Sequence, residues 1–183
     1  MSKKMRIKQL QQDRPWNDLY KELQGESERA AAVVGGAMVD DALYRLVIGF
    51  FVDDGVEAEN LLSRSLSSLG AKTALCYCLG LITEEQRKAL ASIQHIRNHF
   101  AHQLHDASFA DQAIEKHFKH LKPYGRFMTH IANPSPRDYF QTAVGMLVYA
   151  LGIETMKTEH QRKAVAQTTR GILRDLGLDP SAA

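Results

Sequence analysis

Apolar residues recur with a helical period along the whole chain, and no stretch alternates as a half-buried strand does. The 183 residues fit one domain, and a composition of 44% apolar and 24% charged residues is that of an ordinary globular protein. Connections are short, and no linker or internal repeat stands out. The sequence therefore predicts an all-α protein, a compact single-domain helical bundle.

Two long helices are expected to organise this bundle. The first runs from about Ser27 to Val52 and is apolar on nearly all faces, which predicts a central, buried helix. The second begins at Ser135-Pro136, a cap followed by proline at the first helical position, and runs from Arg137 to about Ala166.

Shorter helices are expected between and before the long ones. Thr83 and Gln86 form a capping box that begins a helix to about His102. The remaining expected segments are Trp16–Gln24, one or two helices within 57–80, and Phe109–Leu121, capped by Ser108 and stopped by Pro123. The domain organisation follows: a flexible basic tail over 1–12, a helical domain over 13–170 and a second tail over 171–183.

Several classes of protein are disfavoured by composition and spacing. The amino terminus has lysines but no apolar run behind them, so no signal peptide is expected. The most apolar stretch, 30–52, contains Asp40, Asp41 and Arg45, which a membrane span would not usually carry. We therefore predict a cytoplasmic protein with no membrane association. No sequence motif indicates a cofactor.

The two cysteines and the overall charge narrow the functions further. Cys76 and Cys78 are two positions apart on a helix and cannot pair with each other, so they are interpreted as small buried thiols. A net charge of +2 argues against a polycation that coats nucleic acid. Neither a helix-turn-helix signature nor zinc-finger spacing is present, so direct DNA binding is not expected.

Arg97 breaks the pattern of the helix that begins after Thr83. At about 100° per residue it lies in the middle of the apolar stripe that contains Leu90 and Ile93. An unpaired buried guanidinium costs several kcal/mol, so a partner or a cleft is required. Asp40 and Asp41 interrupt the apolar central helix and are the expected partners. Two interpretations stay open: a buried ion pair that joins two helices, or an arginine at the edge of a cleft, where it binds phosphate.

The residues around Arg97 favour phosphodiester chemistry in the second interpretation. Asn98 and His102 lie four residues apart and share a face. Histidine moves protons near neutral pH, and arginine holds phosphate oxygens as charge develops on them.

Histidine is concentrated in one region, with seven of the eight between residues 95 and 130. His95, His99 and His102 share one face of the helix at i, i+4 and i+7, a spacing that makes them weak candidates for zinc ligands. No carboxylate joins this stripe, so exposed or interface histidines are the favoured interpretation and no metal is assigned. The other histidines have no ligand spacing.

Two stretches resemble the bacterial mannitol operon repressor family: Glu28-Arg29-Ala30 with Asp40-Asp41-Ala42-Leu43, and Ile96-Arg97-Asn98-His99-Phe100-Ala101-His102. The resemblance covers roughly residues 20 to 165. It implies an all-helical cytoplasmic protein that represses genes for mannitol uptake and utilisation. The family lacks a recognised DNA-binding motif, which implies action through a protein partner, such as a transcription factor or a sugar-phosphotransferase component, and we expect a homodimer.

A second, shorter resemblance overlaps the first. The string from Arg97-Asn98 to His102 is similar to the Arg-x4–6-His motif of the HEPN (higher eukaryotes and prokaryotes nucleotide-binding) domains, many of which are metal-independent ribonucleases. The resemblance implies that Arg97 binds the scissile phosphate, His102 acts as general acid or base, and Asn98 orients one of them. Asp40 or Asp41 fits the acid that such domains place on an earlier helix. RNA is a partner only under this alternative.

Overall fold

The computed structural model describes residues 25–51, 55–103, 106–129 and 131–176. Their helices are, in order, α1 Glu28–Phe50, α2 Gly55–Ser63, α3 Leu69–Cys78, α4 Glu84–His102, α5 Gln112–Glu115 and α6 Pro136–Asp175, with the 3₁₀ helices η1 Lys116–His120 and η2 Lys122–Phe127 between α5 and α6. The described residues form no strand, so the predicted all-α bundle is confirmed. The basic tail and the predicted helix Trp16–Gln24 lie outside the described residues.

The capping residues begin the helices where the sequence predicts. Ser27 Oγ accepts from the backbone N–H of Ala30 at the start of α1. At α4, the N–H of Thr83 donates to Gln86 Oε1 at 2.7 Å and the N–H of Gln86 donates to Thr83 Oγ1 at 3.2 Å, which completes the capping box. Ser135 caps α6, and this helix continues to Asp175, nine residues beyond the predicted end.

The central helix α1 packs against α3, α4 and α6, as its apolar faces predict. It runs parallel to α6, because Gly35 contacts Phe140 near the start of both helices and Gly49 contacts Thr155 further along. It runs antiparallel to α4, since Arg29 near its start contacts the end of α4. The core between these helices is formed by fully buried side chains, among them Leu43, Leu46, Leu90, Ile93, Ile96, Phe100, Phe140 and Leu147.

The predicted helix Phe109–Leu121 is wrong in its form. Only α5, four residues long, is α-helical, and the chain then continues as η1 and η2. Pro123 does not stop a helix, because it stands near the start of η2. Ser108 Oγ accepts from Ala110 in a local turn, and Asp111 occupies the cap position of α5.

The structure also bears on the two cysteines and on the question of a membrane-spanning helix. Cys76 is buried, and burial raises the pKa of its thiol to about 11, whereas Cys78 is exposed and that part of the prediction is wrong. The burial of Cys76 and the exposure of Cys78 have one cause, because positions i and i+2 lie on opposite sides of α3. Within the described ranges, no helix has both the length and the apolar character needed to cross a membrane.

Candidate functional site

Arg97 packs its stem across α1 and is exposed, so the first of the two interpretations, a buried ion pair, does not hold. A Cβ built on Gly36 would lie 2.6 Å from Arg97 Cγ, which places the aliphatic stem directly over this glycine. The side chain as a whole is exposed, and its Nη1 donates to Asn98 Oδ1 at 3.0 Å. The stem covers apolar surface while the guanidinium reaches water. The apolar face of α4 therefore packs on α1 without burying a charge.

The two aspartates of α1 have other partners, so the predicted pairing with Arg97 is wrong in the described structure. Asp40 lies 2.9 Å from the Nζ of Lys72 on α3. Lys72 is buried and also donates to the backbone carbonyls of Leu66 and Ser67. Asp41 pairs with Arg45 at 2.8 Å on the exposed face of α1. Of the two, Asp40 thus faces the protein, where it helps to neutralise a buried ammonium group.

Asn98 and His102 complete a polar group at the end of α4. They lie four residues apart on one face of this helix, and His102 is its last, exposed residue. The hydrogen bond from Arg97 to Asn98 joins the guanidinium to this face. The structure thus places the three residues that sequence reasoning singled out on the last turns of one helix, at the surface. This group can bind an anion and, through His102, transfer a proton.

Glu28 and Arg29 hold this end of α4 in place, a role that sequence reasoning missed. Arg29 donates to the backbone carbonyls of Phe100 and Gln103, at the end of the helix, where carbonyls generally lack intrahelical donors. Glu28 accepts from the N–H of Phe109 at 3.0 Å. Sequence distance hid these contacts, because they join residues more than 70 positions apart.

His95, His99 and His102, the weak candidates for zinc ligands, do not converge in the described structure. His95 stacks on His117 of η1, with ring centroids 4.5 Å apart. His99 Nε2 lies 2.7 Å from Asp111 Oδ2, and His102 is exposed. No three His, Cys, Asp or Glu side chains of the described part of the chain are arranged to hold a metal ion. His105, His130 and the side chain of His160 lie outside the described residues.

A second surface feature is an apolar stripe on α6, formed by Tyr149, Ile153 and Met156. The exposed fractions are 63% for Tyr149 and 65% for Met156, and Ile153 lies between them half-buried. Gly152 leaves open space within the stripe. Beside it lies a cleft of about 350 Å³ between α6 and the α3–α4 connection, lined among others by Leu81, Ile153 and Lys157. Large exposed apolar side chains on one helix face are typical of protein-contact surfaces.

No family model, no curated protein and no solved structure matches this chain.

A substitution at Gly36 tests the position of Arg97. In the native protein, Gly36→Ala is expected to lower the free energy of unfolding, because the added Cβ meets the inner part of the arginine stem. In an Arg97→Ala background the contact with Cγ is removed but the contact with Cβ, at 3.0 Å, remains, so the same substitution is expected to be less destabilising than in the native protein. Urea unfolding of the four proteins measures this difference. An equal loss in both backgrounds would contradict the placement of the stem.

The carboxylate of Asp111 predicts a pH dependence of stability. The backbone N–H of Ser108 and His99 hold the pKa of Asp111 below its ordinary value of 3.8. The ionised carboxylate therefore stabilises the fold above pH 4, and this stabilisation is lost as the pH falls through the lowered pKa. Asp111→Asn is expected to lower the melting temperature at pH 6, and this difference is expected to shrink as the pH falls below 4 and the native carboxylate becomes protonated. A difference that stays constant down to pH 2 would contradict this assignment.

Proposed function

We propose that this protein is a cytoplasmic regulator that represses genes for mannitol uptake and utilisation, and that it acts mainly through contacts with another protein. The mannitol assignment rests on the resemblance of the Glu28–Ala30, Asp40–Leu43 and Ile96–His102 strings described above. The expected partner is a transcription factor or a sugar-phosphotransferase component, and the protein is expected to form a homodimer.

The exposed stripe of α6 carries the protein-contact part of this proposal. Tyr149 and Met156 are seven residues apart and point to the same side of the helix, where each is more exposed than buried. Aromatic residues and methionine are enriched at interfaces, and a few such side chains supply most of the binding energy. The adjoining cleft beside Ile153 offers a pocket for an apolar side chain of the partner.

A pulldown from mannitol-grown and glucose-grown cells, combined with a mannitol-gene reporter, tests the proposal. The tagged protein is expected to retain one partner in one condition, and Tyr149→Ser with Met156→Ser is expected to reduce its retention at least about tenfold. The same variant should release repression of the reporter. Tyr44→Ser is the matched control, since Tyr44 is an exposed aromatic residue of α1.

Three results would contradict this proposal. One is equal partner retention and repression by the native protein and the stripe variant. Another is a gel shift on the control region of the operon with clear operator preference, which would indicate direct reading of DNA. The third is an unchanged reporter signal after deletion of the gene that encodes this protein, which would contradict the mannitol assignment. Size-exclusion chromatography of the stripe variant shows whether the stripe serves homodimer formation instead.

A second candidate function, metal-independent cleavage of RNA, is favoured by the surface position of Arg97. Its guanidinium is held by Asn98 near the end of α4 and is not taken up by a carboxylate among the described residues. In this chemistry the 2′-hydroxyl of RNA attacks the adjacent phosphorus and the 5′-oxygen leaves, which yields a 2′,3′-cyclic phosphate. Arg97 would hold the phosphate oxygens, while His102 would take or give the proton.

Labelled RNA incubated with the purified protein in EDTA tests this candidate. Cleavage by the native protein, with a loss of at least about 100-fold in Arg97→Ala and in His102→Ala, would support it. Arg45→Ala is the control, because it removes an exposed arginine of α1. DNA of the same sequence should stay intact, since it lacks the 2′-hydroxyl. RNA left equally intact by all four proteins would exclude this activity under the tested conditions.

A further inference from the structure

Residues 116–124 form a triplet repeat: Lys-His-Phe, Lys-His-Leu and Lys-Pro-Tyr. The structure places this repeat in the 3₁₀ helices η1 and η2, with a single residue between them. A 3₁₀ helix has three residues per turn, so side chains three positions apart lie in one row. The repeat and the helix therefore have the same period, and the segment presents three rows of side chains.

The apolar row fixes the segment to the protein. Phe118 and Leu121 are buried in the core, and Tyr124 packs partly against it. With this row facing inward, the lysine row faces outward, and Lys116, Lys119 and Lys122 are all exposed. Successive lysines are about 6 Å apart along the axis, at a rise of about 2 Å per residue. The result is a regular line of three cations on the surface.

The histidine row lies beside the lysines, against α4. His117 stacks on His95, with 17° between the ring planes. Burial lowers the pKa of His117, and so do His95, Lys116, His120 and Lys119. Burial also lowers the pKa of His120, as do Lys119 and Lys88. No carboxylate contributes to either shift.

The chain supplies little negative charge to this surface. Residues 116–137 contain five Lys or Arg and no Asp or Glu. The exposed Glu115 directly precedes the lysine row, and among the described residues it forms no ion pair with a lysine of the row. Glu84 is the nearby acid of α4 that faces Lys88, and it is already paired with Arg87 and Lys88. Glu85 interacts with Tyr124, at the far end of the repeat. The lysine row therefore lacks a partner anion along most of its length, and a ligand can supply one.

We propose that the lysine row, Lys116 with Lys119 and Lys122, binds the phosphate backbone of a single nucleic-acid strand. A strand carries one charge per nucleotide, which suits a regular line of cations better than the irregular charges of a folded acidic protein do. Arg126 and the exposed Phe127 follow the row, with the guanidinium 5.0 Å from the ring centroid, and can stack on a base. The contact reads no sequence, so it differs from operator recognition.

This surface is distinct from the group at Arg97. On α4, His95 and Arg97 are about 200° apart, so the lysine row and Arg97 lie on opposite sides of the helix. Binding can be measured on single-stranded DNA, which the proposed RNA cleavage does not attack. A failure to bind this strand would therefore contradict the present proposal alone, and it would leave both candidate functions to their own tests.

Fluorescence anisotropy of a labelled 20-nucleotide DNA strand, measured across salt concentrations, tests the proposal. The native protein is expected to bind, and the triple variant Lys116→Gln, Lys119→Gln, Lys122→Gln is expected to lose at least about tenfold in affinity. Its log–log salt slope should fall by about 2, at about 0.7 per phosphate contact. Each single variant should lower the slope by about 0.7. The matched control, Arg45→Gln with Arg64→Gln and Arg170→Gln, removes three surface charges elsewhere and should keep the native slope.

Proton linkage gives a second readout. A bound phosphate favours the charged imidazoles, so affinity is expected to rise between pH 7.5 and pH 6, and this rise should disappear in His117→Gln with His120→Gln. The proposal is overturned if the native protein does not bind the strand at 50 mM salt, or if the control triple variant loses as much as the lysine-row variant. It is also overturned if poly-glutamate of equal charge binds as tightly, which would indicate an acidic protein partner.

Discussion

Phe140→Ala is expected to lower the free energy of unfolding by about 3 to 5 kcal/mol, the largest stability effect that the core predicts. Phe140 is fully buried, and its ring lies against α1 at Gly35, where an added Cβ would be 2.8 Å from Cε1. Its ring centroid is 5.1 Å from that of Phe109, which in turn lies 4.7 Å from that of Phe100. These three rings together join α1, α4, α6 and the segment after α4.

Urea unfolding measures this effect, and two further variants make it specific. Phe127→Ala removes an exposed ring and should change the free energy of unfolding by no more than about 0.5 kcal/mol. Gly35→Ala should be destabilising in the native protein and less so beside Phe140→Ala, because the new methyl group then enters vacated space. A loss of less than 1 kcal/mol for Phe140→Ala would contradict the central position of this ring.

The helices that could be predicted are those with strong local signals. The capping box at Thr83 and the cap at Ser135 act within four residues, so the sequence shows them directly. The apolar character of α1 predicted a central helix for a similar reason, because its burial depends on its own faces. The 3₁₀ form of residues 116–127 is harder to predict, because over so short a segment a period of 3.0 differs little from the α-helical period of 3.6.

The sequence indicates which residues share the end of α4, but it does not indicate their contacts with other helices. Arg97, Asn98 and His102 do lie together at the end of α4, since their spacing on one helix is local information. The exposure of Arg97 depends on Gly36 of another helix, which leaves room for the arginine stem. A helical projection of α4 alone contains no information about Gly36. The partner of Asp40 depends in the same way on the turn before α3 that positions Lys72.

Arg29→Met is expected to loosen the end of α4 and to lower the free energy of unfolding by about 2 to 3 kcal/mol. Arg29 donates to the carbonyls of Phe100 and Gln103, and hydrogen bonds from charged groups contribute about 1.5 to 3 kcal/mol each when buried and less when exposed. Its charge also interacts favourably with the carboxyl end of the helix. Methionine keeps an unbranched apolar stem but removes both donors.

Amide hydrogen exchange locates the effect. Protection is expected to fall in the last turn of α4, around His99 to Gln103, while the first turn after Thr83 keeps its native protection. Arg29→Lys should restore only part of the loss. Its ammonium group keeps the charge and can donate, but it lacks the planar fork that reaches two carbonyls. Arg45→Met is the matched control, an arginine of the same helix on its exposed face. Equal loss of protection along the whole of α4 would show that Arg29 stabilises the fold globally, and the candidate site at His102 would then have no dedicated support.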